Sequence, residues 1–183
     1  MRNFTIPARE DVSANNQAIF DNLKGMIGFV PNLYAYYANN ETALADYLAL
    51  QNRKSTLRAK EREIINLVVS QVNECEYCQA AHTAVGKMQG FTADEILEVR
   101  RAEISFDPKF DALAKFVKET TIKRGKPSAE AIEKLFAAGY TEANLVDIVM
   151  VIGDKIISNY LHGITQIAID WEPAPQLEAS ANA

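Results

Sequence analysis

Cysteine is scarce in this sequence: there are two in 183 residues, Cys75 and Cys78. A pair that close in the chain closes too small a loop to add much as a structural disulfide, so a disulfide-stapled scaffold is excluded. Long apolar runs are missing too. The longest apolar region, around Leu145 to Ile157, is interrupted by Asp147, Asp154 and Lys155, far short of the roughly 20 apolar residues that span a bilayer. Nothing at the start resembles a secretory signal, since Met1 to Pro7 is short and polar and Ala8-Arg9-Glu10-Asp11 follows. No membrane association and a cytoplasmic location are expected. Positive charge is also in deficit, with 19 Lys and Arg against 24 Asp and Glu and a net charge of -5, so nucleic acid is not an expected partner. The small basic cluster Arg58, Lys60, Arg62 is interleaved with Glu61 and Glu63 and reads as a solvated helix face. Signals for strands are weak, with no turn dipeptide flanked by alternating apolar residues.

What is present is helical periodicity. At 48% hydrophobic and 23% charged residues, the chain has the composition of a folded protein, and its length suits one hydrophobic core. One all-α domain is predicted over residues 1–171, with a flexible tail over 172–183 that carries Pro173 and Pro175. A first helix is predicted over Asn15 to Lys24, closed by Gly25. Pro31 is expected in the first turn of the next element, whose Leu33, Tyr36, Tyr37, Leu44, Tyr47 and Leu48 make an amphipathic helix or helix pair. Further helices are predicted over Arg58 to Val72, Cys75 to Met88, Ala93 to Arg101 and Asp107 to Lys123. Two more follow, over Ala129 to Ala138 and from Thr141 to Trp171. Thr92 with Glu95 forms a capping box. Gly90-Phe91-Thr92 is echoed by Gly139-Tyr140-Thr141, a repeated helix-turn-helix punctuation.

The chemistry concentrates between Glu63 and His82. If a helix begins near Cys75, then Cys75 and Cys78 lie one turn apart on the same side, and their sulfurs can meet as a disulfide or separate as thiols. His82, four residues beyond Cys78, shares that face. The free N–H groups and positive dipole end of the helix favour a thiolate, and a neighbouring histidine gives its proton a destination. Glu63 lies on the preceding helix and reaches this site if the two helices fold back on each other. In a reducing compartment such a pair is catalytic or metal-binding. A structural zinc site needs further ligands, and only His162 remains as a second histidine. A c-type haem attachment is excluded because Gln79 follows Cys78, and a thioredoxin fold is disfavoured by the absence of a βαβ pattern. Two inert buried cysteines are the remaining structural alternative.

Glu63 followed by Cys75-x-x-Cys78-x-x-x-His82 resembles the AhpD-like alkylhydroperoxidases of the carboxymuconolactone decarboxylase superfamily. Gly28-Phe29-Val30-Pro31-Asn32 is similar to a segment of its peroxidase-related branch. The resemblance implies an all-α AhpD-like helical bundle, a homo-oligomer, and reduction of an organic hydroperoxide or hydrogen peroxide. It further implies that Cys78 is the peroxidatic thiol and Cys75 the resolving one, with Glu63 and His82 as the proton relay. Some of these enzymes carry a second histidine where this chain has Tyr77, a hydrogen-bond donor but a poor base near neutral pH. No nicotinamide or flavin motif occurs, so no cofactor is expected and an external dithiol or lipoyl-type reductant is implied. A lactone decarboxylase and a non-catalytic redox sensor stand as alternatives. Tyr34, Tyr36, Tyr37 and Tyr47 suit a substrate channel or, more simply, a core. His162 reads as a packing histidine, and Trp171 as a residue at a surface or subunit boundary.

Overall fold

The structure, a computed structural model, describes residues 3–177. Nine α-helices and no strand occur among the described residues, as the periodicity predicts. The described residues form two compact units: residues 3–54 with Tyr160–Asp170, and Ser55–Asn159 with residues 171–177.

The first unit contains a 3-10 turn at Arg9–Asp11, then α1 (Ala14–Ile27), α2 (Asn32–Tyr37) and α3 (Ala43–Gln51). Ser13 caps α1 by accepting from Asn16 N at 3.3 Å. The expected stop at Gly25 is overrun. Glycine inside a helix costs only about 1 kcal/mol relative to alanine, and the left-handed cap sits three residues later at Gly28, with φ 93°. Pro31 stands just ahead of α2 rather than inside its first turn. The tyrosines are accounted for by packing. Tyr37 and Tyr47 are buried and stack with centroids 4.5 Å apart, Tyr34 meets Tyr47 edge-on, and Tyr34 Oη donates to Gln51 Oε1 at 2.6 Å.

In the second unit, α4 (Ala59–Val72) is the core helix. Ile64, Ile65, Leu67, Val68 and Val69 are fully buried, and consecutive apolar positions point in too many directions for one face, so the helix must be wrapped. The wrapping comes from α5 (Glu76–Met88), α6 (Ala93–Arg101) and α7 (Pro108–Ile122), with α8 (Ala129–Ala137) packed on α7. Burial of each of these aliphatic side chains is worth roughly 1.5–3 kcal/mol, which makes α4 the most strongly held element of the unit. The helix starts follow the capping signals. Thr92 accepts from Glu95 N while Glu95 accepts from Thr92 N, Asp107 accepts from Lys109 N and Phe110 N, and Ser128 accepts from Ala131 N. The repeated Gly-aromatic-Thr punctuation is structural. Gly90 and Gly139 have φ 82° and 87°, Phe91 and Tyr140 are buried, and Thr141 accepts from Asn144 N.

Three expectations need correction. The last helix, α9 (Glu142–Thr165), stops short of Trp171. Gln166 is left-handed at φ 49°, and the chain beyond it is held in its own unit by Asn32 N donating to Asp170 Oδ2 at 2.7 Å. His162, buried as a packing histidine, places Nε2 3.1 Å from the Ile167 carbonyl. Second, the interleaved charges at the start of α4 are not a solvated face, because Glu61 and Glu63 are each only 4% exposed. Burial is tolerated because their oxygens are occupied. Glu61 accepts from Arg58 N, Arg58 Nη2 and Tyr140 Oη. Third, of the tail expected to be flexible, residues 172–177 are irregular, but Pro175 O accepts from Arg100 Nη1 at 2.6 Å. Residues 178–183 of that tail lie outside the described residues.

Candidate active site

The turn from α4 into α5 builds the site. Asn73 caps α4, Glu74 takes a left-handed conformation at φ 54°, and Cys75 N returns to Ser70 O at 3.0 Å while Glu74 N bonds Gln71 O at 3.1 Å. This is the paired hydrogen bonding of a Schellman motif, made without the usual glycine. Cys75 therefore closes α4 and, in the same step, becomes the N-cap of α5: its Sγ accepts from Cys78 N at 3.3 Å. One turn on, Cys78 points to the same side. The Cys75 thiol donates to Cys78 Sγ with the sulfurs 2.7 Å apart, and both cysteines are buried and free.

Glu63 reaches the site through His82, its expected relay partner, rather than through a sulfur. Glu63 Oε1 lies 2.7 Å from His82 Nδ1, and Glu63 Oε2 accepts from Asn66 Nδ2 at 3.2 Å. With Glu63 as a carboxylate, Nδ1 is the donor and Nε2 keeps its lone pair, so the pair sets the imidazole's tautomer. The His82 side chain is 12% exposed and that of Glu63 5%, leaving the histidine as the member in touch with water.

The sulfurs are electrostatically unequal. The S–H donated by Cys75 draws the Cys78 thiol down to about 6; burial opposes this, while the charges of Lys155 and His82 and a hydrogen bond from Asn159 assist it. Cys75 moves the other way, well above the ordinary thiol value, through the bond it donates to Cys78, its burial and the negative charge of its neighbour. Cys78 is thus the more acidic thiol of the pair and Cys75 the proton-bearing partner.

Two features support this geometry from behind. Arg100, buried on α6, donates to Gln71 Oε1 at the end of α4 and to Gln79 Oε1 on α5, at 2.9 and 3.0 Å. Gly86 lets α5 approach closely, for a Cβ there would sit 3.3 Å from Ile96 Cδ1.

Residues 36–119, which contain this turn, both sulfurs, His82 and Glu63, match the carboxymuconolactone decarboxylase family. The segment that carries the site is thus similar to that family. Solved structures share the fold of this chain. A peroxidase-related protein from Silicibacter sp. TM1040 is 23% identical, with a TM-score of 0.80 over 94% of this chain and 90% of its own. A peroxidase-related protein with an AhpD core from Ralstonia eutropha JMP134 is 20% identical, with a TM-score of 0.80 over 93% and 90%. The debrominase Bmp8 is 16% identical, with a TM-score of 0.77 over 91% of each chain. A comparison with curated proteins gives no significant match. No single helix among the described residues is long and apolar enough to cross a membrane.

The matched segment does not contain everything around the thiols. On α9, Lys155, Ser158 and Asn159 are buried on one face, with Ser158 Oγ 4.0 Å from Cys78 Sγ. Asn159 is held by Asn73 Nδ2 and Ser70 Oγ, at 3.0 and 3.4 Å. Sequence reasoning treated Lys155 only as an interruption of an apolar run. The usable signal was the i, i+3, i+4 spacing of three polar residues inside that run.

Proposed function

We propose that this protein is a thiol-dependent peroxidase, reducing an organic hydroperoxide or hydrogen peroxide through a dithiol–disulfide cycle of Cys78 and Cys75. The observation that carries this reading is the facing sulfur pair beside a buried Glu63–His82 hydrogen bond. The Cys78 thiolate attacks the distal peroxide oxygen and the O–O bond breaks. The departing alkoxide or hydroxide takes from His82 Nε2 the proton that the Cys78 thiol had given it, with Glu63 orienting the ring, and leaves as alcohol or water. The sulfenic acid then condenses with the Cys75 thiol, releasing water and forming the disulfide. An external dithiol or lipoyl-type reductant returns both sulfurs to thiols by exchange, becoming oxidised itself. No other cofactor enters. Such a cycle belongs in a reducing compartment, which supports the cytoplasm.

Assembly as a homo-oligomer is part of the proposal, supported by the outward side of α9. There Val146, Val149, Met150 and Ile157 are exposed at helical spacing while Asp147, Asp154 and Lys155 of the same helix are buried. An apolar stripe of this kind marks a protein contact, and a second copy presents the same stripe.

The test is consumption of cumene hydroperoxide by dithiol-reduced protein. Wild type turns over, Cys78→Ser does not react, and Cys75→Ser consumes one equivalent and stops as a sulfenic acid. A disulfide that forms without turnover moves the reading to a redox sensor. Activity on a lactone that survives loss of both cysteines moves it to a decarboxylase. A fold neighbour is a debrominase solved with 2,3,4-tribromopyrrole, and a dithiol pair supplies the two electrons that reductive debromination needs. That compound is therefore assayed beside the hydroperoxide.

A further inference from the structure

Helix α9 buries more than its apolar face. Beside Ile148, Val151 and Ile152 it also turns charged residues inward, among them a lysine that is 2% exposed. A buried ammonium is tolerated only when a counter-charge or a full set of hydrogen bonds compensates its lost hydration. Lys155 has no carboxylate within 4 Å among the described residues. The other buried acids are engaged elsewhere: Glu61 with Arg58, Glu63 with His82, and Asp147 with Ser55 and Thr56. Asp154, its chain neighbour, points about 100° away around the helix and forms no ion pair within that distance. What Lys155 shares its face with is Ser158, 4.0 Å from Cys78 Sγ, and Asn159, clamped to α4 and to the turn that carries the sulfurs.

We infer that the Lys155 ammonium is the standing counter-charge of the Cys78 thiolate, a positioning residue that keeps the attacking sulfur ionised whatever the protonation of the His82–Glu63 pair. The inference rests on Cys78 being the attacking sulfur, and it divides the labour within the site. His82 is left to deliver the leaving-group proton and Lys155 to hold the anion. The ionisable groups that act on Cys78 are Cys75 at the N-cap, His82 on α5 with Glu63 of α4 behind it, and Lys155 on α9. The coulombic influence of Lys155 on both sulfurs is in the sense required. In the disulfide the anion is gone and the ammonium faces no charge. Lys155 therefore favours the reduced state.

The experiment follows the rate of Cys78 alkylation by iodoacetamide against pH in reduced protein, with mass spectrometry locating the label. Lys155→Met moves the midpoint upward by a unit or more and slows labelling at neutral pH by about tenfold. Lys155→Arg restores most of the loss, while Asp154→Asn keeps a midpoint close to the wild type. A second readout is independent of any folding defect in one variant. Equilibration with a glutathione redox buffer shows Lys155→Met shifted about tenfold toward the disulfide relative to Lys155→Arg. A Lys155→Met protein with wild-type titration and wild-type redox balance overturns the inference. Wild-type protein that titrates as described but does not consume cumene hydroperoxide overturns the peroxidase reading and leaves the counter-charge standing.

Discussion

Replacing Glu63 by glutamine and, separately, by leucine divides the relay into its two physical parts. Glu63 accepts from His82 Nδ1 at 2.7 Å and from Asn66 Nδ2 at 3.2 Å. In Glu63→Gln one of these oxygens becomes an NH2 group. The Asn66 Oδ1 atom is buried without a hydrogen-bond partner, so rotating the Asn66 amide gives the new NH2 group an acceptor. The glutamine carbonyl can then still accept from His82 Nδ1, and the imidazole keeps its tautomer. Only the charge of the hydrogen bond is lost. A charged hydrogen bond is worth about 1.5–3 kcal/mol against about 0.5–1.5 for a neutral one. The difference of roughly 1–1.5 kcal/mol corresponds to about a tenfold slower chemical step. Glu63→Leu removes the acceptor altogether and frees the ring's tautomer and orientation, so the rate falls by the ~10²–10⁴ typical of lost acid–base catalysis. The assay is single-turnover oxidation of reduced protein by cumene hydroperoxide, quenched with acid and read as remaining free thiols. A glutamine variant as slow as leucine refutes the separation of charge from tautomer. A leucine variant as fast as wild type removes the relay from the reaction.

The alkylation rate of Cys78 should rise as pH increases through about 6 and level off above it, because a depressed thiol pKa leaves the group ionised above that value; a midpoint near 9 contradicts the assigned environment. Arg100→Leu strands Gln71 Oε1, Gln79 Oε1 and Pro175 O as acceptors without their donor. It should lower stability by about 2–4 kcal/mol in urea unfolding, and an unchanged midpoint shows that these bonds are individually expendable. Glu74→Gly relieves a left-handed non-glycine residue in the α4–α5 turn and should stabilise the protein by up to about 1 kcal/mol. Lower stability in that variant means that the Glu74 side chain contributes more than its backbone strain removes. Tyr140→Phe deletes one of three hydrogen bonds to Glu61 while both from Arg58 remain, so a loss of only about 1 kcal/mol is expected in the same assay.

Local chemistry determined what could be read along the chain. Helix starts at Ser13, Thr92, Asp107 and Ser128 follow from side-chain oxygens that reach N–H groups two or three residues on. The placement of Cys75 at the head of a helix, with Cys78 one turn along, follows from the same short-range rules. Where local signals compete, the reading slipped: Gly25 looked like a stop, yet the conformation that ends a helix was needed only at Gly28, and α9 ended at a left-handed glutamine that no sequence signal marks. Interleaved charges likewise suggest a solvated face whenever nothing says which side meets another helix.

Only the tertiary structure decided that Glu63 bonds His82 rather than a sulfur, that Glu61 and Glu63 are buried, and that α9 turns Lys155, Ser158 and Asn159 inward. The physical reason is range. Capping and helical spacing act over three or four residues and are written in adjacent letters. The pairing of a carboxylate with an imidazole 19 residues away, or the approach of a serine 80 residues beyond its cysteine, depends on how α4, α5 and α9 pack. That packing is set by the summed burial of many apolar side chains, so the residues that tune the thiols become visible only after the helices have met.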